Sequence, residues 1–408
     1  MNINIPNGIF LQTTVLMKEV FIISAKRTPI GGFLGMLSNY SATELGAIAI
    51  KEAYSSVGID ASNIDSVYMG NVLSANLGQA PARQAAKFAG LPDEKDSTTI
   101  NKVCSSGLKA VSIAAQQIQL GLEDLIIAEG MESMSNAPHY ALLRKNIKLG
   151  NEQFIDGLLK DGLTDVYHKF HMGNAAELCV NKYNLSREQQ DEFALKSYEK
   201  AASATKTGKF RNEIIPIPLS SKNGEMLFNE DEDIFKVIPE KVTKLKPVFE
   251  EKGTITAANA SNINDGAAAI LLASKEAVEK YQLKPLAKII AYADASQAPE
   301  WFTTSPSVAI TKALKQASLS LNDIDFFEIN EAYAAVVLAN QQLLGISEKK
   351  VNVYGGAVAM GHPLGASGAR VLCTLISVLH QESGKYGVAA ICNGGGGATA
   401  MLIQNLYQ

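Results

Sequence analysis

Cysteine is scarce in this chain. Four are spread over 408 residues, at Cys104, Cys179, Cys373 and Cys392. No two stand at the Cys-x-x-Cys spacing of a zinc or redox motif, which excludes a disulfide scaffold and points to a reducing compartment. No apolar run approaches the ~18 residues needed to cross a bilayer. Neither charge dominates: 37 Lys and Arg face 41 Asp and Glu, for a net −4. No global field therefore draws in nucleic acid or an anionic membrane, and an anionic substrate must be met by local lysines. A Gly-x-Gly-x-x-Gly fingerprint and a P-loop are both missing, and the glycine run Gly394–Gly397 has no lysine after it. Residues 1–16 carry no charged side chain, so they have neither the basic start of a signal peptide nor the arginines of a transit peptide. Met17-Lys18-Glu19-Val20 reads as a natural start running into a strand, residues 1–16 as an extension, and the cytoplasm as the default location.

What is abundant is apolar surface. At 47% hydrophobic residues the chain can bury a large core, and its length suggests two or three domains at roughly 100–200 residues each. It also repeats itself. Gly107 in Cys104-Ser105-Ser106-Gly107-Leu108-Lys109 aligns with Gly368 in Ala366-Ser367-Gly368-Ala369-Arg370. Asn63–Gly70 aligns with Asp323–Asn330, and Leu125–Gly130 with Ala389–Gly394. A near-constant offset of about 260 residues implies two homologous halves. Each half alternates short β-rich runs (Val20–Ser24, Val67–Met69, Leu125–Ala128) with helical ones, such as Leu108, Val111, Ala115 and Ile118. That alternation predicts α/β halves with mixed sheets covered by helices.

Residues 134–263 differ in character, with four prolines at 216, 218, 239 and 247 and the acidic run Asn229–Asp233. They read as a cap inserted into the first half. A capping box at Ser186-Arg187-Glu188-Gln189 opens a helix there, so the insertion is folded. The division is then 1–16 (extension), 17–133 with 264–284 (first half), 134–263 (cap) and 285–408 (second half).

Two cysteines sit where a thiol can react. Cys104 lies where a strand-like stretch gives way to a helical run, and a helix N-terminus favours thiolate over thiol. A buried structural thiol is the competing reading. Cys392 precedes four glycines, whose backbone N–H groups can converge on a ligand oxygen; a plain glycine turn is the alternative. His362, between Gly361 and Pro363, is a poor core filler, though it could be an exposed loop histidine. Cys179 and Cys373 fall on helical patterns and read as core, while His139, His168 and His380 have no supporting pattern. A nucleophilic thiol, a second thiol moving protons and a histidine together suit carbon–carbon bond formation or cleavage beside a thioester.

Four motifs occur in order: Cys104-Ser105-Ser106-Gly107, Asn330-Glu331-Ala332, Gly361-His362-Pro363 and Cys392-Asn393-Gly394-Gly395-Gly396. Gly130–Ser135 and Asn264–Ala268 accompany them. Over residues 18–408 the chain resembles the thiolases, most closely the short-chain acetoacetyl-CoA type. That resemblance implies a thiolase fold, two α/β halves in a layered α-β-α-β-α arrangement with a cap. It implies reversible condensation of two acetyl-CoA into acetoacetyl-CoA and CoA, with no required cofactor. Cys104 would be the nucleophile, His362 its base, Cys392 the α-proton shuttle, and Asn330 with His362 the enolate site. The backbone of Cys104 and Gly394 would form the oxyanion hole.

Coenzyme A would follow Leu163, His171, Met172, Tyr198, Lys236, Val237, Ile238, Lys241, Phe249, Ala257, Ser261, Phe302, Ala332 and Tyr333. Lys236 and Lys241 also make sense as local cations for phosphate, or as ordinary solvated surface. Thr256-Ala257-Ala258-Asn259-Ala260-Ser261 and Tyr198 resemble the potassium-activated mitochondrial type, with an ion on Tyr198, Ala257, Ala258, Ala260 and Val358. Phe302-Thr303 stands where that type has Phe-Pro, which puts tolerance of a 2-methyl branch in doubt. The family assembles as homodimers or homotetramers. A longer-chain 3-ketoacyl-CoA thiolase would share every catalytic residue. A ketoacyl-carrier-protein synthase would have histidine in place of Cys392, and a hydroxymethylglutaryl-CoA synthase would need a glutamate base. A non-enzymatic lipid carrier would have no fast-reacting thiol.

Overall fold

The computed structural model describes residues 17–144, 149, 151–221 and 224–407; the 1–16 extension lies outside them. The first run of elements is β1 (Val20–Arg27), α1 (Ala42–Ser55), β2 (Ser66–Gly70), α2 (Pro81–Phe88), β3 (Asp96–Ile100), α3 (Ser106–Gln119) and β4 (Leu125–Ser133). Residues 134–263 follow, with α4 (Met172–Tyr183) and α5 (Arg187–Lys206). The chain re-enters the sheet as β5 (Asn264–Ser274). The second run is β6 (Ala287–Ser296), α6 (Ser305–Ala317), β7 (Phe326–Ile329), α7 (Ala334–Leu344), α8 (Leu364–Gln381), β8 (Tyr386–Asn393) and β9 (Gly397–Asn405).

The strands join in the order β7-β8-β9-β6-β1-β5-β4-β2-β3. β2 runs parallel to β3 and β4, while β4–β5 and β5–β1 are antiparallel. In the second half β7–β8 is parallel and β8–β9 and β9–β6 antiparallel, with a parallel bridge from Phe327 to Val351 standing where β3 stands in the first. Order and sense match, which is the duplication read from the offsets. The two halves touch edge to edge through a short β1–β6 pairing, Val20–Ile22 on Ile289–Ala287. Where the second half turns from β8 to β9 through Gly394–Gly396, the first leaves the sheet at Ser133 and returns at Asn264.

Three apolar layers produce the α-β-α-β-α stack. β4 shows how: Leu125, Ile127 and Met131 pack under α1 and α2, while Ile126 and Ala128 face the opposite side. The middle layer joins Leu108, Val111, Ala115 and Ile118 of α3 to Leu372, Leu375, Ile376 and Leu379 of α8. A third core packs α6 on β6, β8 and β9. Every residue of β4 and β5 is buried, as expected of strands covered on both faces. Burial of each such Leu or Ile contributes about 1.5–3 kcal/mol relative to exposure. α3 and α8 cross in near contact because the aligned pair is glycine: a Cβ on Gly368 would lie 2.3 Å from Leu108 N, and one on Gly107 2.8 Å from Ala369 N.

Within residues 134–263, Ser186 caps α5 and shares the capping box with Gln189. The acidic run there is largely internal. Asp231 clamps the fully buried Arg27 through both oxygens (2.7 and 3.0 Å), and Glu213 holds its Nε at 2.7 Å. Glu232 accepts the amides of Gly32 and Met36. These ties fasten residues 213–232 to β1 and the loop that follows it.

Candidate active site

Cys104 lies in the link between β3 and α3. Its neighbour Val103 has φ +48°, a left-handed conformation that costs a β-branched residue on the order of 1–2 kcal/mol. Side chains hold it there. Asn101 Oδ1 accepts the Val103 N–H at 2.9 Å, and Ser106 Oγ accepts the Lys102 N–H at 2.8 Å and donates to Val103 C=O at 2.6 Å. The Ser105 hydroxyl lies 3.1 Å from Ile391 C=O and 2.9 Å from Asn393 Oδ1. One serine thus ties the Cys104 link to the end of β8, which carries Cys392.

Of the four cysteines, Cys104 alone is partly accessible. The dipole expectation for its charge does not hold. Desolvation pushes the Cys104 thiol up to about 12, against a downward pull from the backbone N–H groups of Gly394 and of Cys104 itself. α3 begins only at Ser106, so the sulfur sits beyond its first turn while apolar walls surround it. Those two amides already point at the sulfur, where a bound carbonyl oxygen would sit. Cys392 is buried, and burial followed by proximity to Cys104 pushes its thiol well up.

His362 follows Gly361, whose φ of +106° and close approach to the Asn264 side chain admit no Cβ. Asn264 Oδ1 accepts the His362 N–H at 3.0 Å. The imidazole Nδ1 is 2.6 Å from Ser367 Oγ, and Ser367 donates its own proton to Pro363 C=O at 2.8 Å. With that proton committed, Oγ is left to accept from Nδ1–H, and this network assigns the tautomer with a free lone pair on Nε2. Nε2 is buried and has no hydrogen-bond partner. Burial, with a smaller push from Arg370, lowers the imidazole to about 3, so it is neutral. Asn330 Nδ2 lies 3.4 Å from His362 Nδ1. Glu331 accepts from Ser197 Oγ (2.7 Å), Asn352 Nδ2 (2.9 Å) and the Val358 N–H (3.1 Å), a structural clamp on α5.

Cys104, His362 and Gly394 line a cavity of about 560 Å³. Its walls also include Leu163, His171, Met172, Lys236, Phe249, Ala257, Ser261, Phe302, Ala332 and Tyr333. His171 stacks on Phe249 at 4.6 Å, and Phe249 meets Tyr333 edge-on at 6.1 Å. Cys392 sits in the core behind, against Met172, Ala332 and Tyr333. Tyr198 and Val237 line a separate neighbouring cavity, and Ile238 and Lys241 are exposed residues outside both.

Residues 20–276 match the thiolase N-terminal domain and 283–405 the thiolase C-terminal domain. The chain belongs to the thiolase family. It is 52% identical over 393 residues to acetyl-CoA acetyltransferase 2 of Arabidopsis thaliana, covering 95% of this chain and 98% of that protein. It is 49% identical over 398 residues to the acetyl-CoA acetyltransferase of Saccharomyces cerevisiae, covering 96% of this chain and all of that one. Among solved structures, a thiolase of Ascaris suum in complex with coenzyme A superposes with a TM-score of 0.91 at 47% identity, over 95% of this chain and all of that one. Human mitochondrial 3-ketoacyl-CoA thiolase superposes at 0.93 with 38% identity, over 96% of this chain and all of that one.

Several residues of this thiolase site were not legible as motifs. Ser367 and Arg370 support the His362 and Asn330 side chains from α8. Phe33, Met134, Asp233 and Val248 also line the cavity. Only the repeat alignment flagged Ser367 and Arg370, and as structure, not chemistry. Lys236 is already paired with Glu232 and Asp233, both at 2.9 Å, so its charge is partly spent before any phosphate arrives. Among the described residues no cluster of three or more His, Cys, Asp or Glu side chains is placed to hold a metal ion. The resemblance to a potassium site involves a different donor set, and it fits chemically. Burial and nearby carboxylates hold the Tyr198 phenol up at about 12, hence neutral, and Tyr198 shares a core with Val358. A neutral hydroxyl with backbone carbonyls of Ala257, Ala258, Ala260 and Val358 suits a hard monovalent ion.

Proposed function

We propose that this protein is an acetyl-CoA C-acetyltransferase, reversibly joining two acetyl-CoA into acetoacetyl-CoA and CoA. One observation carries the reading: Cys104 and a neutral imidazole line an apolar-walled cavity, two backbone N–H groups point at the Cys104 sulfur, and the Cys392 thiol lies in the core behind, near enough to feel the charge of Cys104. Near-full-length relatives about 50% identical and named acetyl-CoA acetyltransferase favour the two-carbon substrate over longer chains.

The protons can be followed step by step. With Cys104 held near 12 and His362 near 3, the empty site rests as thiol and neutral imidazole, not as an ion pair. Proton loss must therefore accompany attack. Cys104 Sγ adds to the acetyl carbonyl as His362 Nε2 takes its proton, and the oxyanion rests on the Cys104 and Gly394 amides. Collapse expels CoA thiolate, which Cys392 protonates, leaving acetyl-Cys104 and a Cys392 thiolate. That thiolate removes the α-proton of a second acetyl-CoA, with His362 and Asn330 receiving the enolate oxygen. The enolate carbon attacks acetyl-Cys104; collapse breaks the Cys104 C–S bond, the departing Cys104 thiolate takes back the proton held on His362 Nε2, and acetoacetyl-CoA leaves.

The CoA arm follows the His171–Phe249–Tyr333 wall past Ser261 and Ala332. Lys241, free of a carboxylate partner within 4 Å among the described residues, takes phosphate more readily than Lys236; Val237 and Ile238 flank it. CoA thioesters are substrates, and no resident cofactor is needed. Potassium on Tyr198, Ala257, Ala258, Ala260 and Val358 would supply a fixed positive charge beside the CoA path. The inserted segment 134–263 acts as the CoA-binding cap, and the protein works in the cytosol as a homodimer or homotetramer. The test is CoA-dependent thiolysis of 3-oxoacyl-CoA from four to sixteen carbons, in potassium and in sodium. A sharp preference for four carbons is expected, enhanced by potassium. A flat or long-chain profile overturns the acetyltransferase reading, and equal activity and melting in sodium overturns the ion site.

A further inference from the structure

Arg370 is the buried charge for which the mechanism above has no use. It lies on α8, one turn after Ser367, and is 1% exposed. Its Nη1 has no hydrogen-bond partner, and its Nη2 reaches only Asn330 Oδ1, at 3.4 Å. A guanidinium carries five donors and does not give up its charge, so burial with this little compensation is strongly unfavourable unless it serves an end. The fold can satisfy a buried arginine: Arg27 is gripped by both Asp231 and Glu213.

The groups around Arg370 are otherwise engaged. Glu213 is spent on Arg27, Thr374 and Ser377, and Glu331 on Ser197, Asn352 and Val358. Glu328 on β7 faces it without an ion pair, and burial pushes that carboxyl to about 8, so it is mostly protonated at neutral pH. Lys200 adds positive charge to the surroundings, while Arg27 is matched by its own two carboxylates. The Arg370 guanidinium, with no ion-pair partner of its own among the described residues, therefore stands directly behind Asn330.

We propose that Arg370 is a positioning residue for the enolate step: by holding Asn330 Oδ1 it turns the amide N–H groups toward the reacting oxygen. An amide whose oxygen is drawn to a cation is a stronger N–H donor, and the fixed charge favours an enolate over a neutral carbonyl in a water-excluded site. Cys104 acetylation, which uses the Cys104 and Gly394 amides, does not depend on Asn330. The two half-reactions should then separate. This inference rests on the acetyl-transfer reading above.

The test compares Arg370→Gln and Arg370→Lys with wild type in two assays. Exchange of labelled CoA into acetyl-CoA reports acetylation of Cys104, and α-hydrogen exchange of acetyl-CoA in deuterated water reports enolate formation. Arg370→Gln should slow α-exchange by roughly 10- to 100-fold, the range of a lost supporting contact, while CoA exchange stays within about threefold. Arg370→Lys should fall between. In an Asn330→Ala background Arg370→Gln should cost nothing further. Equal loss in both assays, or an undiminished loss in the Asn330→Ala background, overturns the proposal. Should Arg370→Gln and Arg370→Lys not fold, Glu328→Gln decides. Ionised Glu328 opposes the Arg370 field, so wild-type α-exchange should weaken above pH 8 and the variant should not; identical profiles overturn the proposal. A wild type inactive in both assays refutes the acetyl-transfer reading instead.

Discussion

Removing the Ser367 hydroxyl should disable the base without touching the substrate. Ser367 is fully buried and lines no part of the cavity, yet its Oγ holds His362 Nδ1 at 2.6 Å. In Ser367→Ala the Nδ1–H loses its acceptor inside the protein. An unsatisfied buried donor costs about 1–3 kcal/mol, which shifts the proton toward Nε2 or turns the ring. At 1.4 kcal/mol per tenfold, the population with a free Nε2 lone pair falls by roughly 5- to 150-fold. The assay is exchange of labelled CoA into acetyl-CoA, with a melting scan beside it. We expect kcat to drop within that range, KM for acetyl-CoA to hold within about twofold, and Ser367→Cys to recover part of the rate, since a thiol is a weak acceptor. A folded Ser367→Ala protein with kcat within twofold of wild type refutes the tautomer assignment and the role of Nε2 as the free base.

Two further outcomes follow from the buried groups. Because desolvation holds the Cys104 thiol near 12, its alkylation by iodoacetamide should speed up about tenfold per pH unit from 7 to 10. It should still be the first cysteine labelled, being the accessible one; a rate plateau below pH 8 would indicate a preformed thiolate–imidazolium pair. Glu129 on β4 is fully buried with both oxygens unpartnered, and desolvation raises its carboxyl well above the usual range. The folded state therefore prefers the protonated form, and this group erodes stability as pH rises above the ordinary carboxyl value near 4.5 toward its raised folded value. Glu129→Gln should raise Tm at pH 8, have little effect at pH 4, and flatten the pH dependence between. An unchanged Tm at pH 8 would mean that Glu129 is solvated or paired in solution.

The sequence by itself determined whatever rests on local rules. The Ser186 box needed only its own turn to cap α5, and the offset repeat needed only the chain. The four motifs named side chains that the fold brings around one cavity, because thiol, imidazole and glycine chemistry is written in residue identity. Tertiary structure decided the charges. The helix-dipole argument for a Cys104 thiolate failed because desolvation, set by walls from distant parts of the chain, outweighs a partial charge at a helix end. The Asn229–Asp233 run reads only as part of a charged, inserted cap, yet Asp231 is spent on Arg27 across 204 residues of sequence. Ser367 and Arg370 look like ordinary helix residues until α8 is packed between the sheets, where one orients His362 and the other stands behind Asn330. Burial and electrostatic pairing are sums over neighbours distant in sequence, and no local pattern encodes such a sum.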